Sequence, residues 1–383
     1  MKCRVLAALA CLVLVLSGCG GDGGGGGGGG DSKPVSFSQE ALASPVDGAS
    51  RYVLYLPQGY ETSPDKRWPL LIFLHGSVVL SDLELDSITR IGVMGFMRNT
   101  GTHFPAIIIA PQQDLDFYQY PTNAQWPITW HDPVFLDAVI RDVESRYRVD
   151  KTRVSITGGS MGGFGSWAMA LSFPKRFSAV MPVAGGLTND DLLYFSNIPL
   201  TGAEDWGHAF DAVASNNVRV YSGLSDNNVP IAVARNPVSL LRSAGGNPDV
   251  HEEAMDHAGV QLLAFTKDPV DWMLARDRPD ADSASTPIPN PQEFAGAYHF
   301  DTGEKVSISA TEHQIRLDFG PGRNPMPFLY IRDDRFIAGW LMYARRDSAG
   351  NVKCFVSPLP AVKVPYRFYP DLIRDDATEA CRA

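Results

Sequence analysis

At 383 residues, with 44% hydrophobic and 20% charged side chains, the chain holds enough apolar material for one large core and a smaller second one, and wholesale disorder is excluded. Its net charge is -10, which speaks against a nucleic-acid partner held through phosphate contacts.

Lys2 and Arg4 form a charged start, Val5 to Leu16 an apolar run too short to span a bilayer, and small residues lead on to Cys19. Residues 1–18 therefore read as a targeting segment. Leu16-Ser17-Gly18-Cys19 resembles the lipobox of bacterial lipoproteins. That resemblance implies cleavage before Cys19, acylation of its thiol, and an exported protein tied to a membrane by lipid, facing the periplasm or the cell exterior. The alternative is an ordinary signal peptide with an incidental cysteine. Residues 19–35 contain a nearly pure glycine run from Gly20 to Gly30, which cannot bury apolar surface and reads as a flexible tether of about 20 Å. Without residues 1–18 the chain has 31 basic and 43 acidic residues, a net charge of -12. Of its five cysteines, Cys354 and Cys381 are then the pair left beyond the lipid site, disulfide-bonded in an oxidising compartment or present as two free thiols.

Residues 36–277 alternate short apolar runs with longer helical patterns, as expected of a parallel sheet with crossover helices. Tyr52 to Leu56, Leu70 to Leu74 and Ala106 to Ala110 read as strands. Phe135, Leu136, Val139, Ile140 and Val143 recur at helical spacing, and Val154 to Thr157 form the next strand. Met161 to Phe173 reads as a helix stopped by Pro174. Phe177 to Val183, Val218 to Tyr221 and Asp249 to Ala254 complete the strands. Between the last two, Pro237 to Ala244 reads as a short helix capped by Asn236, and Asp268 to Arg276 closes the unit as a helix. Residues 278–292, rich in Pro, Asp, Ser and Ala, read as a linker. Residues 293–383 read as a small, mainly β domain, with strands around Val306, Ile315, Phe328 and Val352.

The chemistry concentrates at Gly158-Gly159-Ser160-Met161-Gly162, between a strand and a helix, where a sharp turn needs small neighbours on both sides of an exposed serine. A serine hydroxyl is a poor nucleophile, so acyl transfer needs a base, a group orienting the base, and donors for the oxyanion. Asp226 follows the strand Val218 to Tyr221, in a loop at the carboxyl edge where an acid partner belongs. His257 follows Asp249 to Ala254 on a loop, whereas His251 lies inside that strand. The backbone N–H groups of Ser77, after His75-Gly76, and of Met161 could form the oxyanion hole. His75 itself reads as structural. Phe117, Tyr118, Trp126 and Trp130 either line a pocket or pack against the body.

Residues 50–276 resemble the α/β-hydrolase superfamily, and within it the secreted esterase, feruloyl-esterase and polyhydroxybutyrate-depolymerase-like group that overlaps predicted peptidases. Leu74-His75-Gly76, Pro111-Gln112, Asp150 to Val154, Thr157 to Trp167 and Asp226 to Pro230 carry the resemblance. It implies a Ser160, His257, Asp226 triad cleaving a small or polymeric ester, with Ser77 and Met161 as oxyanion donors, no cofactor and no metal. Two positions depart from the group: Gly159 stands where a larger residue is usual, and Ser222-Gly223 replaces the usual His-Gly. Residues 187–217 are longer than the usual connection and are expected to form a partial lid. A serine peptidase of the same fold, and a surface binding lipoprotein without catalysis, are the rival readings.

Overall fold

A computed structural model of the chain describes residues 34–46, 49–77, 85–112, 133–188, 207–281, 287–300, 303–321, 325–332, 334–337, 341–356, 371–377 and 380–381. The targeting segment, Cys19, the glycine tether and the aromatic residues Phe117, Tyr118, Trp126 and Trp130 lie outside these. Val35 to Ala383 forms one compact unit.

The first eight strands are β1 (Ser38–Val46), β2 (Ala49–Tyr55), β3 (Trp68–Leu74), β4 (Ile107–Gln112), β5 (Val149–Gly159), β6 (Ala179–Val183), β7 (Arg219–Gly223) and β8 (Asp249–Glu253). They form one sheet in the order β1-β2-β4-β3-β5-β6-β7-β8. The expectation of a parallel sheet is corrected at one edge: β1 pairs antiparallel with β2, and β2 antiparallel with β4, while the remaining strands run parallel. Strand β1 carries too few apolar residues to announce itself, because an edge strand buries little.

Among the described residues, the helices beside the sheet are α1 (Gly92–Thr100), α2 (Pro133–Arg146), α3 (Met161–Ser172), α4 (Ile231–Ser243), α5 (His257–Ala264) and α6 (Lys267–Leu274). Strand β3 is buried along its whole length, which is why it reads as a continuous apolar run. Its alternation splits the core: Leu70, Ile72 and Leu74 pack with Phe135, Val139 and Trp167 of α2 and α3. Leu71 and Phe73 pack with Val93 and Met97 of α1, Val260 of α5 and Met273 of α6. A strand–tight turn–helix unit in such a doubly covered sheet is the α/β-hydrolase architecture.

Helix α4 corrects a second expectation. It begins at Ile231, and Pro237 lies in its interior, buried, instead of at its first position. A proline there cannot donate to the carbonyl of Val233 one turn back. That carbonyl lies against Gly186, so close that a Cβ would not fit. Asn236 is not a cap; its side chain donates to the carbonyl of Leu187 at 2.9 Å. The described end of the expected lid is also packed down: Gly207–Val213 is a 3-10 helix whose Phe210 is buried edge-on to Trp167, with ring centroids 6.0 Å apart.

The C-terminal part is a closed antiparallel barrel in the order β10-β11-β12-β13-β14-β15-β16-β9. Its strands are β9 (Gly296–Phe300), β10 (Lys305–Ala310), β11 (Gln314–Asp318), β12 (Met326–Arg332), β13 (Arg335–Ile337), β14 (Leu341–Arg346), β15 (Val352–Val356) and β16 (Leu372–Arg374). In β10 the buried Val306 and Ile308 alternate with exposed Lys305, Ser307 and Ser309, the signature of one face turned inward. Phe294, Tyr298, Phe336 and Phe355 fill the interior with tilted and edge-on ring contacts. Cys354 and Cys381 are joined by a disulfide. The stretch expected as a linker is tied down at its described ends. The Arg278 N–H donates to Thr152 O at 2.8 Å, and the buried Ile288 donates to Glu312 O at 2.7 Å. Phe173, just beyond α3, packs against both the α2–α3 core and the barrel core.

Candidate active site

Ser160 stands between β5 and α3 with φ 57° and ψ -119°, a left-handed conformation that is costly for a residue with a Cβ. The sequence allows it because its neighbours lack side chains. A Cβ on Gly158 would come within 2.6 Å of both the Gly162 backbone and the Leu74 carbonyl, and one on Gly163 within 2.6 Å of the Val183 carbonyl. The turn is thus wedged between the ends of β3 and β6. Its own backbone secures it: Ser160 N–H donates to Val183 O at 2.9 Å, and Ser160 O accepts from Gly163 and Phe164 at 2.8 and 3.1 Å. The side chain makes no capping hydrogen bond to α3, so the hydroxyl is not spent on the helix.

Asp226 sits in the loop after β7, its side chain almost inaccessible. Gly223 lets that loop pass directly beneath the carbonyls of Met255 and Asp256. Leu224 and Ser225 then donate to Glu253 O and Met255 O at 2.7 and 3.0 Å, lacing the acid loop to the segment that carries the histidine. The N–H groups of Asn228 and Val229 each donate to Asp226 Oδ1 at 2.8 Å, and His257 Nδ1 lies 2.7 Å from Oδ2. A carboxylate so held favours the tautomer with its proton on Nδ1 and leaves Nε2 as the basic nitrogen on the far side of the ring.

His257 is not on a loop, as the sequence suggested, but is the first residue of α5, capped by Asp256, whose carboxylate accepts from Gly259 N at 2.8 Å. The short helix hid behind small residues and a glycine. Its position still places His257 beyond the carboxyl end of β8. His251 lies within β8, its ring stacked on Tyr221 at 4.5 Å and its Nε2 3.1 Å from Asp249 Oδ1.

The loop after β3 runs beside the Ser160 turn: a Cβ on Gly76 would lie 3.3 Å from Gly159 O and 3.6 Å from Ser160 Cβ. Ser77, the next residue, is exposed, and Met161 is buried at the first position of α3. His75 is buried, and its Nδ1 donates to Gly76 O at 2.9 Å. Burial pulls its pKa down from the usual 6.5 to about 4, so the ring is neutral and serves the loop. Two features escaped the sequence: the paired amides of Asn228 and Val229, and Gln261, one turn after His257, whose Nε2 donates to His257 O at 2.9 Å. Four-residue spacing from the histidine was the available signal for Gln261.

Feruloyl esterase C of Emericella nidulans is 32% identical over 152 residues, 37% of this chain and 51% of that protein, so the chain spans about half the length of this curated relative. Among solved structures, the s-formylglutathione hydrolase of Staphylococcus aureus superposes with a TM-score of 0.46 at 18% identity, covering 63% of this chain and all of the other. A feruloyl esterase module of Clostridium thermocellum, complexed with sinapinate, superposes with a TM-score of 0.44 at 16% identity, covering 64% and 91%. Residues 46–229, from the last residue of the first strand through the loop that carries Asp226, match the model of the esterase family described as "Putative esterase".

Proposed function

We propose that the protein hydrolyses carboxylic esters through an acyl-enzyme. The observation that carries this reading is the placement of Ser160 on a left-handed turn at the carboxyl edge of the sheet, with the His257–Asp226 pair on the loop and helix that close the same edge. Ser160 Oγ attacks the ester carbonyl carbon while His257 Nε2 takes its proton. The N–H groups of Ser77 and Met161 receive the developing oxyanion, each such donor contributing about 3 kcal/mol to transition-state stabilisation. Collapse breaks the bond to the alcohol oxygen, which leaves with the proton from His257. Water, deprotonated by His257, then releases the acid and restores Ser160. Asp226 keeps the imidazole oriented and compensates its charge when protonated.

The test is turnover of p-nitrophenyl butyrate and methyl ferulate, the second chosen from the similarity to feruloyl esterase C, set against a panel of peptide amides. Ester turnover that disappears in Ser160→Ala, with fluorophosphonate attached to Ser160 by mass spectrometry, is the expected result. Absence of both turnover and labelling in the wild type would favour a surface binding role. We also propose export and lipid attachment at Cys19, checked by incorporation of labelled palmitate that Cys19→Ala abolishes.

A further inference from the structure

Gly159, the residue before the nucleophile, has no side chain, and the space one would occupy is filled from another element. A Cβ there would collide with Gln261 Oε1 and lie 2.9 Å from Gln261 Cδ and 3.3 Å from Phe265 Cε2. His257 and Gln261 of α5 and Phe265, the residue that follows it, succeed one another at four-residue spacing as a single stripe. At the far end of the stripe, Phe265 is held edge-on against Phe73 of β3, ring centroids 5.4 Å apart. In the middle, the Gln261 carboxamide rests on Gly159 and donates to the carbonyl of His257 at 2.9 Å. One side chain thus touches the strand that presents Ser160 and the main chain that presents His257.

We propose that Gln261 is a positioning residue, setting the separation between the first turn of α5 and the nucleophile turn; the proposal rests on the roles of Ser160 and His257 given above. Asp226 restrains the rotation of the imidazole through Nδ1 and Val260 seats the helix on the core, while Gln261 meets the strand that presents Ser160 directly. Proton transfer needs heavy atoms within about 2.6–3.2 Å. A misplacement of about 1 Å can cost on the order of 100-fold in rate. Gln261 sets the spacing at this contact by packing against a glycine, where no rotamer of a residue at position 159 can push it away. Glycine at 159 and glutamine at 261 are therefore a matched pair in size, which gives the departure at Gly159 a physical reason. Because Gln261 acts on the base, its loss is read in kcat and not in KM.

The full-length chain is assayed with p-nitrophenyl butyrate and by the rate of fluorophosphonate labelling. The variants are Gln261→Met, Gln261→Ala, Gly159→Ala and the double variant Gly159→Ala/Gln261→Ala. Gln261→Met is expected to lower kcat about tenfold with KM within about twofold, and to slow labelling in proportion. Gly159→Ala is expected to cost more than about tenfold, and the double variant to recover at least about fivefold over Gly159→Ala, since removing Gln261 makes room for the methyl. Retention of kcat within about twofold in both Gln261→Met and Gln261→Ala would overturn the proposal, as would losses that simply multiply in the double variant. If Gly159→Ala does not fold, the two Gln261 variants decide, because a half-buried helical position accepts Met and Ala. Failure of the underlying reading has a separate signature, activity retained in Ser160→Ala, and would remove the proposal with it.

Discussion

Asp226 receives His257 on one carboxylate oxygen and its own loop on the other: His257 Nδ1 lies 2.7 Å from Oδ2, while Asn228 and Val229 donate to Oδ1 at 2.8 Å. This division of labour makes Asp226→Asn a sharp test. Two backbone donors hold the amide oxygen in the Oδ1 place, so the amide nitrogen must face His257. A donor there forces the imidazole proton onto Nε2, where it blocks acceptance of the serine proton. We expect kcat to fall on the order of 10³- to 10⁴-fold with the fold intact. A loss under about tenfold in a variant with unchanged circular dichroism would remove Asp226 from this role.

The two histidines near β8 should separate cleanly. His257→Ala should lower kcat on activated esters by several orders of magnitude with little change in melting temperature. His251→Ala should leave kcat within about tenfold, and its loss should appear in stability, since it forfeits a ring stack on Tyr221 of about 1 kcal/mol. Steady-state kinetics and thermal melts on both variants supply the ranking, and the reverse order would displace His257 as the base.

His75 should govern part of the acid sensitivity of the fold. Its folded pKa is lowered to about 4 by burial, against 6.5 when unfolded, so the unfolded chain takes up a proton first as pH falls. The stability it contributes is complete above pH 6.5 and is lost progressively as pH falls to about 4, amounting to at most roughly 3 kcal/mol. His75→Gln, which does not titrate, should flatten the dependence of melting temperature on pH across that window. An acid slope as steep as that of the wild type would assign the effect to other groups.

The barrel core meets Phe173, at the end of α3 away from Ser160. Phe173 follows the last turn of α3 and Ser160 precedes the first, so the twelve-residue helix separates them by about 18 Å. Removing residues 293–383 should leave kcat on small soluble esters within about threefold. It should lower the melting temperature, because Phe173 loses its packing against the barrel core. Complete loss of activity in a truncation that retains its circular dichroism would mean that the barrel takes part in the site.

The Ser160 turn was legible because its requirements are local: a left-handed serine is tolerated only where flanking residues lack side chains, and Gly158, Gly162 and Gly163 state this in one dimension. The buried strands β3, β4 and β6 were legible for a related reason, since a strand covered on both faces must be apolar throughout. Strand β1 and helices α1 and α5 were not, because each buries only part of its surface and carries polar or glycine residues that blur the period. Pro237 misled for the same reason in reverse: its local preference for a first turn was overridden by the packing of α4 against Gly186.

Where a strained serine turn can form, and the order of Ser160, Asp226 and His257 after successive strands, are written in the chain itself, since these depend on backbone sterics and on strand ends. Contacts across the fold set the antiparallel course of β2, the closure of the C-terminal strands into a barrel, and the seat of Gln261 over Gly159. Those outcomes depend on contacts between residues far apart in the chain, where complementarity of shape, and not the propensity of either segment, selects the partner.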